Sequence, residues 1–442
     1  MESHQHSAQS RAQRLLLLRQ NIEIARESSI FYAGWRVVGA SFLGVMTGYA
    51  VLVPYTFSLF MKPLGATFNW RRDQISIAFG CAALMVACCA PVIGRLLDRY
   101  GPKRTIVPCT IVFGLAFASL SLSTSSLTRF YLTFLLLGLA GAGTTQLAYS
   151  RAVSTWFTAH RGLSLSLVAA GAGTGAIGMP LFAAWLLQTS GWRWAYAVLG
   201  LSVLGVSVPL TWLHVRESGT ILSSPGSATE NKQNLRESVA SKPFLLLVAA
   251  IFLYSISFNG IISHLAALLS DRGFSMRASA QAISLVGASG LAGRLATGHL
   301  LDRFFAPRVS VLLFLLTVAG ILLLSQSSLA AALISAVAIG FSAGGESDLT
   351  PYLLSRYYGF RALSTLYGLA WTAFAVSTAV GPLFLGKLYT VTGSYPAWGI
   401  QMLAIPSLVS AVLMAVMPSY PAAKEMEVPL GGSVELLPQT PR

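Results

Sequence analysis

Long apolar segments alternate with short polar ones along almost the whole sequence. Twelve of the apolar segments are about 20 residues long, the length that an α-helix needs to cross the hydrocarbon core of a bilayer. They lie near residues 35–60, 74–97, 105–123, 129–150, 162–187, 192–213, 243–269, 278–301, 309–325, 329–353, 364–388 and 396–417. The pattern therefore predicts an all-α polytopic membrane protein with twelve transmembrane helices.

The two halves of the chain resemble each other. The charged turn after predicted helix 2, Gly94 to Arg104, returns 204 residues later as Gly298 to Arg308, and Gly191 matches Gly393 at a spacing of 202. Self-similarity at a fixed spacing indicates a structural repeat. We therefore expect two six-helix bundles at 35–213 and 243–417, joined by a cytoplasmic linker at 214–242 and flanked by cytoplasmic tails at 1–34 and 418–442.

Composition and charge agree with a membrane protein. The chain is 54% hydrophobic and 10% charged, and its mean hydropathy is +0.66, which excludes a soluble globule for most of its length. The net charge of +15 could indicate a nucleic-acid partner, but 21 of the 30 Lys and Arg residues fall on one side when loops alternate from a cytoplasmic N-terminus. This positive-inside bias predicts cytoplasmic termini in a cell (inner) membrane and no nucleic-acid partner.

A short polar loop before predicted helix 2 carries Trp70, Arg71 and Arg72. Aromatic and basic residues at the end of a membrane helix usually act as anchors at the membrane–water interface. We expect that role for all three residues.

Arg294 lies about two-thirds of the way along predicted helix 8. An arginine at the centre of a membrane helix costs roughly 2.5–3.5 kcal/mol even on the lenient insertion scale, so it should face protein or water and have a partner. Gly287, Gly290 and Gly298 share its helical face and would leave space for a small molecule. Because a guanidinium matches a carboxylate with two parallel donors, Arg294 is a candidate substrate ligand. A fixed ion pair with an acid of the same bundle is the alternative.

Predicted helix 10 carries two acids, Glu346 and Asp348. Burial in hydrocarbon favours the protonated form of a carboxyl group, and a nearby arginine opposes that change. Either acid could therefore carry a proton whose binding is coupled to that of a substrate at Arg294. The alternatives are that these acids pair with Arg356 or cap a helix broken at Pro351.

Five further polar residues in the predicted helices are candidates for substrate contacts: Tyr49, Tyr55, Gln146, Asn259 and His264. The two tyrosine hydroxyls could reach a central cavity, and packing with a local backbone partner is the alternative. His264 lies near the outer end of predicted helix 7, where a hydrogen-bonded interface residue is the alternative to a substrate or proton role.

The repeated turn has the pattern Gly-x-x-x-Asp-Arg-x-Gly-x-Lys-Arg. In a chain of twelve predicted helices it resembles the major facilitator superfamily of secondary transporters, over roughly residues 35–417. The resemblance implies a conformational latch at the inner face, with gating roles for Gly94, Asp98, Arg99, Asp302 and Arg303. A glycine at position 94 would let helices approach closely. The second copy has Phe305-Ala306-Pro307 where the first has the segment with Gly101.

Three motifs make the chain similar to the monocarboxylate porter and oxalate/formate exchanger branch of that superfamily. They are Arg-x-x-x-Gly before Leu-Leu-Asp-Arg in predicted helix 8, Gly-Gly-x-x-x-Leu-x-Pro in predicted helix 10, and Trp156-Phe157 followed by Arg161-Gly162. That branch binds the substrate carboxylate with its helix 8 arginine, which implies this role for Arg294.

The sequence also departs from that branch. The animal porters have an acid four residues before the arginine, where this chain has Gly290, and a lysine in helix 1, where it has the Pro54-Tyr55 region. The oxalate exchanger has a second charge in helix 11, where this chain has Trp371 and Thr372. A single binding cation favours a monoanion over a dianion.

The sequence therefore predicts a secondary active transporter that works by alternating access, with its substrate between two six-helix halves. Proton-coupled symport of a small monocarboxylate is the favoured mechanism, and a carboxylate exchanger or an exporter of another small organic solute is the alternative. The expected partners are the organic anion, the proton and the lipid bilayer, with no cofactor, metal or obligatory protein partner. An enzyme or a receptor would need a convergent nucleophile and base or a large soluble domain, and the sequence indicates neither.

Overall fold

The computed structural model describes residues 27–29, 31–157, 160–216, 237–301, 303–358 and 363–420. This part of the chain forms twelve helices, α1 to α12, which confirms the predicted all-α membrane fold. Ten continuous segments are long and apolar enough to span a membrane. One of them, Gly162–His214, is two helices joined at Gly191, and Met276–Leu301 adds a further helix of 26 residues.

In the first half, α2 and α3 share one continuous helical segment, as do α5 and α6, whereas α1 and α4 are each interrupted. The helices of this half are α1, in the segments Ala33–Met46 and Tyr49–Phe68; α2 and α3, which share Arg72–Ser119; α4, in the segments Leu127–Gly141 and Gln146–Ser154; and α5 and α6, which share Arg161–Ser202, with α6 continuing through Val208–His214. The second half contains α7 (Lys242–Asp271), α8 (Met276–Leu301), α9 (Ala306–Leu324), α10 (Leu329–Tyr358), α11 (Leu363–Thr392) and α12 (Ala397–Met402 and Ala404–Ala415).

Several turns between helices depend on glycine. Gly101, between α2 and α3, has φ 80° and ψ 164°, and Gly191, between α5 and α6, has φ 78° and ψ 173°. Side chains rarely tolerate this backbone conformation. Gly393, the repeat counterpart of Gly191, has a φ of 72°. Phe305 instead has a φ of −63° before α9, so the two copies of the charged turn differ.

The first half differs from the second at the midpoint of its helices. Helix α1 is interrupted at Thr47 and Gly48, and α4 is interrupted between Gly141 and Gln146. The two interruptions meet, because the Tyr49 N–H donates to the Thr144 hydroxyl at 3.1 Å. Their repeat counterparts α7 and α10 continue without a break. Helix α10 therefore passes through Pro351, and the alternative that its acids cap a broken helix there is wrong.

The two halves meet along α2 and α5 of the first half and α8 and α11 of the second. We call the side on which α1 begins and α12 ends the termini side, and the other the far side. Contacts between the halves lie toward the far side. A Cβ on Gly80 of α2 would be 3.0 Å from the Cβ of Ala379 of α11, and the Ser284 hydroxyl of α8 donates to the Ile177 carbonyl of α5 at 2.7 Å.

Toward the termini side these four helices are apart. A Cβ on Gly94, Gly162, Gly298 or Gly368, one glycine from each helix, would have no described atom of another helix within 4 Å. The space between the halves is therefore closed on the far side and open on the termini side.

Candidate functional site

Arg294 lies on α8, half-buried, one helical turn beyond the point where α8 crosses α10. The two backbones touch at this crossing, since a Cβ on Gly344 of α10 would be 1.7 Å from the carbonyl oxygen of Gly290. Glycine permits such a close approach between membrane helices. Glu346 follows Gly344 by two residues on α10.

We expected the three glycines on the helical face of Arg294, the glycine stripe of Gly287, Gly290 and Gly298, to leave space beside the guanidinium. This expectation is wrong at two of the three positions. Gly290 is covered by α10, and a Cβ on Gly287 would be 2.7 Å from Ala176 of α5. Gly298 faces open space. The first two glycines serve helix packing, because each lies where another backbone crosses α8. The open space next to Arg294 therefore lies toward the termini side.

Tyr55 of α1 lies on the first half and faces Arg294. Its side chain lies within electrostatic range of the Arg294 guanidinium. The predicted substrate residues Tyr55 and Arg294 are thus brought together, although 239 positions separate them in the sequence. Each half of the bundle supplies one of the two groups.

Glu346 is buried, with 7% of its surface exposed, in the interior of the second half. The Thr350 hydroxyl donates to Glu346 Oε1 at 3.4 Å. The phenol of Tyr254 on α7 lies within electrostatic range of both Glu346 and Tyr55. We call Tyr55, Tyr254, Arg294 and Glu346 the central cluster.

Sequence reasoning missed Tyr254. It is 1% exposed, and its ring stacks on Phe314 with the ring centroids 4.6 Å apart, so its aromatic body looks like any core residue. Its hydroxyl accepts a hydrogen bond from Ser342 at 3.3 Å. The one available signal was a hydroxyl within the apolar run of α7, the helix that also carries Asn259.

Three other predicted substrate residues lie apart from these contacts. The Tyr49 ring packs against Gly141, where an added Cβ would lie 2.6 Å from the ring. The centroids of the Tyr49 and Phe113 rings are 6.4 Å apart. The Asn259 amide donates to the Ser255 carbonyl of its own helix at 3.0 Å. Gln146 is half-buried at the start of the second segment of α4. The side chain of Asp348 is outside the described part of the chain.

His264 belongs to a second polar group, on the far side. Its Nε2 is 2.9 Å from the Pro382 carbonyl oxygen and 3.1 Å from the Ser76 hydroxyl, and its Nδ1 is 2.7 Å from the Tyr395 hydroxyl. Because a carbonyl can only accept, Nε2 carries the proton and Nδ1 accepts from Tyr395. The ring is completely buried. These contacts place His264 between the two halves rather than in the central cluster.

Arg72 completes this group and corrects its expected role as an interface anchor. Its side chain is 10% exposed, and Nη1 donates to the Tyr395 hydroxyl at 2.7 Å while Nη2 donates to Asp271 Oδ2 at 2.6 Å. Lys62 Nζ is 3.8 Å from Asp271 Oδ1. We call Lys62, Arg72, Ser76, His264, Asp271 and Tyr395 the far-side network. Sequence reasoning missed it because its members come from three different helices and a loop.

The predicted gating residues lie on the open side. Gly94 has no close neighbour in this conformation, so the close approach expected there is not made while the termini side is open. Arg99 is exposed and lies 5.3 Å from the centroid of the Tyr100 ring, and Arg303 is also exposed. The side chain of Asp98 and the whole of Asp302 fall outside the described residues.

Comparisons with known proteins agree with this fold. A family model of the Major Facilitator Superfamily matches residues 37–382. The chain is similar to the uncharacterized MFS-type transporter YhjX of Escherichia coli (strain K12), at 26% identity over 341 residues, 76% of this chain and 84% of the relative. It is 27% identical to monocarboxylate transporter 13 of Rattus norvegicus over 375 residues, 82% of this chain and 84% of that one.

An efflux protein and a solved structure also match. The aspyridones efflux protein apdF of Emericella nidulans is 24% identical over 313 residues, 68% of this chain and 61% of that one. A bacterial homolog of the human lysosomal transporter Spinster, solved in an inward-facing and occupied conformation, has a TM-score of 0.68 at 16% identity and covers 87% of this chain and 96% of its own. That likeness concerns the fold. Since the family model spans most of the sequence and the twelve helices agree with it, this protein belongs to the major facilitator superfamily.

Proposed function

We propose that this transporter carries a small monocarboxylate together with a proton by alternating access. The observation that supports this is the central cluster, which combines a guanidinium, a buried carboxyl group and two phenols close to the space between the halves. A guanidinium binds a carboxylate through two parallel hydrogen bonds, and the phenols can donate to its remaining lone pairs. Arg294 is the proposed ligand of the substrate carboxylate, and Tyr55 contributes from the other half.

Glu346 is the proposed proton carrier. A buried carboxylate is costly unless a cation compensates its charge, and Arg294 is the cation on the adjacent helix. When Glu346 is protonated, the positive charge of Arg294 is available for the substrate anion. When the substrate leaves, Arg294 again stabilises the charged carboxylate and so favours release of the proton. One anion and one proton move together, and no net charge crosses the membrane.

Alternating access would exchange the side on which the two halves separate. We propose that the bundles at 35–213 and 243–417 rock about the central cluster, and that the termini side is cytoplasmic in a cell (inner) membrane, as the distribution of Lys and Arg indicates. The conformation described above would then be inward-facing. The linker at 214–242 and the tails at 1–34 and 418–442 would lie in the cytoplasm.

The test is uptake into liposomes. Purified protein is reconstituted, an inward proton gradient is imposed, and accumulation of a panel of labelled monocarboxylates is followed for wild type, Arg294→Ala and Arg277→Ala. Arg277 is the matched control, because it lies exposed at the far end of the same helix. We expect gradient-driven accumulation in wild type and Arg277→Ala and its loss in Arg294→Ala. Carboxylate transport that persists in Arg294→Ala would contradict the proposal.

A carboxylate exchanger or an exporter of another small organic solute is the second candidate, favoured by the similarity to the aspyridones efflux protein. The same liposomes distinguish it. An exchanger would show uptake stimulated by unlabelled substrate inside and independent of the proton gradient, whereas a symporter would follow the gradient. A membrane receptor or enzyme would show neither.

A further inference from the structure

We propose that the far-side network is a closure controlled by protonation, which holds while His264 is neutral and opens when His264 binds a proton. This goes beyond the proposed function, because it concerns the closed side of the transporter and does not depend on which substrate the central cluster binds.

The network joins the two halves through one unbroken chain of hydrogen bonds. Asp271 accepts from Arg72, Arg72 donates to the Tyr395 hydroxyl, and that hydroxyl donates to His264 Nδ1. Nε2 of the same ring donates to the Pro382 carbonyl, with the Ser76 hydroxyl at 3.1 Å. Each hydrogen-bonding atom in this chain has a partner, and the chain requires one neutral tautomer of the histidine.

Three contacts of the network cross between the halves. Arg72 and Ser76 belong to α2 of the first half, whereas His264, Asp271 and Tyr395 belong to the second. Helices α2 and α11 pack closely at this point, because a Cβ on Gly386 of α11 would be 2.7 Å from the Ser76 hydroxyl oxygen. Separating the halves on this side must therefore break the hydrogen bonds of Arg72 and expose the histidine ring to water.

A proton on His264 opposes this closure in two ways. Nδ1 would become a donor and could no longer accept from Tyr395, whose hydroxyl would lose its acceptor. A second positive charge would also be buried within electrostatic range of the Arg72 guanidinium. Arg72 (α2) and Tyr395 (the loop to α12) are the charged and titratable groups next to the ring. The groups around them on the neighbouring elements are Lys62 (α1), Asp271 (α7) and Tyr389 (α11).

The surrounding acid does not offset that charge. Asp271 is committed to Arg72 at 2.6 Å and to Lys62 at 3.8 Å, and the Arg72 guanidinium carbon lies 3.9 Å above the Tyr389 ring. The open state, in contrast, hydrates the imidazole and removes it from Arg72. Protons therefore bind the open state more tightly than the closed state, and acid shifts the population toward the open far side.

The network borders a cavity on the far side. A cavity of about 330 Å³ is lined by Lys62, Asp271, Tyr389 and Tyr395, among others. Tyr395 therefore lies between that cavity and the histidine. Because protons bind the open state more tightly, the ratio of open to closed protein should rise as the pH falls, by up to tenfold for each pH unit.

The test is the distance across the far side as a function of pH. Spin labels are placed at Ala66 and Val391, both exposed near the far ends of α1 and α11, in protein whose four cysteines are replaced by serine, in lipid nanodiscs. Pulsed electron paramagnetic resonance then gives the distance distribution at pH 8 and pH 5. We expect the long-distance population of wild type to rise at pH 5.

Two variants decide whether His264 is responsible. His264→Gln can still donate to Pro382 but cannot take up a proton, so its distances should not respond to acid. Arg71→Gln is the matched control, because Arg71 pairs with Asp73 of its own segment, and it should respond as wild type does. Tyr395→Phe should widen the distribution at both pH values. Equal distances at pH 8 and pH 5 in wild type, or an acid response that survives in His264→Gln, would overturn the proposal.

Discussion

Nη2 of Arg72 and Oδ2 of Asp271 lie 2.6 Å apart, and their ion pair joins the first half of the bundle to the second on the far side. Their side chains are 10% and 21% exposed, so the pair is shielded from bulk water on most of its surface. Under the proposed alternating access, a pair in that position would stabilise only the conformation in which the far side is closed. Its strength would then influence the ratio of the two open states.

Replacing the acid of this pair should favour opening of the far side. Asp271→Asn keeps the shape of the side chain and removes its charge. A hydrogen bond to a charged group stabilises a protein by about 1–2 kcal/mol more than a hydrogen bond between neutral groups. We expect the ratio of far-side-open to closed protein to rise roughly 5–30-fold at pH 8, read from the same pair of spin labels. An unchanged distance distribution would show that packing alone holds this side closed.

The shape of the Arg294 head group should matter as well as its charge. Arg294→Lys keeps one positive charge but replaces the planar fork with a point charge. We expect the KM for a monocarboxylate to rise about 10–100-fold with a smaller change in maximal rate, measured as initial uptake into liposomes. A KM equal to that of wild type would mean that the guanidinium does not bind the carboxylate through two hydrogen bonds.

Neutralising Glu346 should separate transport from its driving force. Glu346→Gln cannot release a proton, so accumulation driven by a pH gradient should be lost, while exchange of labelled for unlabelled substrate should remain. Both are measured in the same liposomes, one with a gradient and one with substrate on both sides. If the variant still accumulates substrate against its gradient at a proton-dependent rate, the proton carrier is another group, and Asp348 is the next to replace.

The crossing of α8 and α10 should not tolerate a methyl group. A Cβ on Gly344 would lie 1.7 Å from the Gly290 carbonyl oxygen, and because that neighbour is backbone, the helices themselves must move. We expect Gly344→Ala to destabilise the protein by at least about 1–3 kcal/mol, seen as a lower Tm in detergent. Gly298→Ala, on the same bundle and with open space around it, is the control and should leave the Tm within a degree or two. Equal Tm values for both variants would contradict the described packing.

The sequence predicted the architecture, which the structure confirms, and it supplied candidates for the site whose roles stay predictions. The twelve helices follow from the length of the apolar runs, and Arg294 stands out because a charge within such a run is costly. The sequence indicated Arg294 and Tyr55 as two separate candidates, and the fold brings their side chains within electrostatic range of each other. These features are visible locally, one helix at a time.

The rest depends on how distant segments meet. Arg72 and Tyr395 are 323 positions apart, and nothing within α2 distinguishes an interface anchor from a residue that bridges the two halves. The glycine stripe of α8 has the same spacing whether it faces a cavity or another backbone, and only the position of α10 decides. Tyr254 could not be predicted for a related reason. Its ring is a core residue by its sequence pattern, and only the fold shows that its hydroxyl lies within electrostatic range of Glu346.

The backbone contact between Gly290 and Gly344 has a consequence for the proposed coupling of proton and substrate. Because these two helices touch through main-chain atoms, we expect α8 and α10 to move together through the proposed transport cycle. The separation of the Arg294 and Glu346 α-carbons would then be the same whichever side is open. In such a transporter, binding of the substrate and the proton would control the interaction between Arg294 and Glu346. The motion of the two halves would decide only on which side of the membrane the substrate and the proton are released.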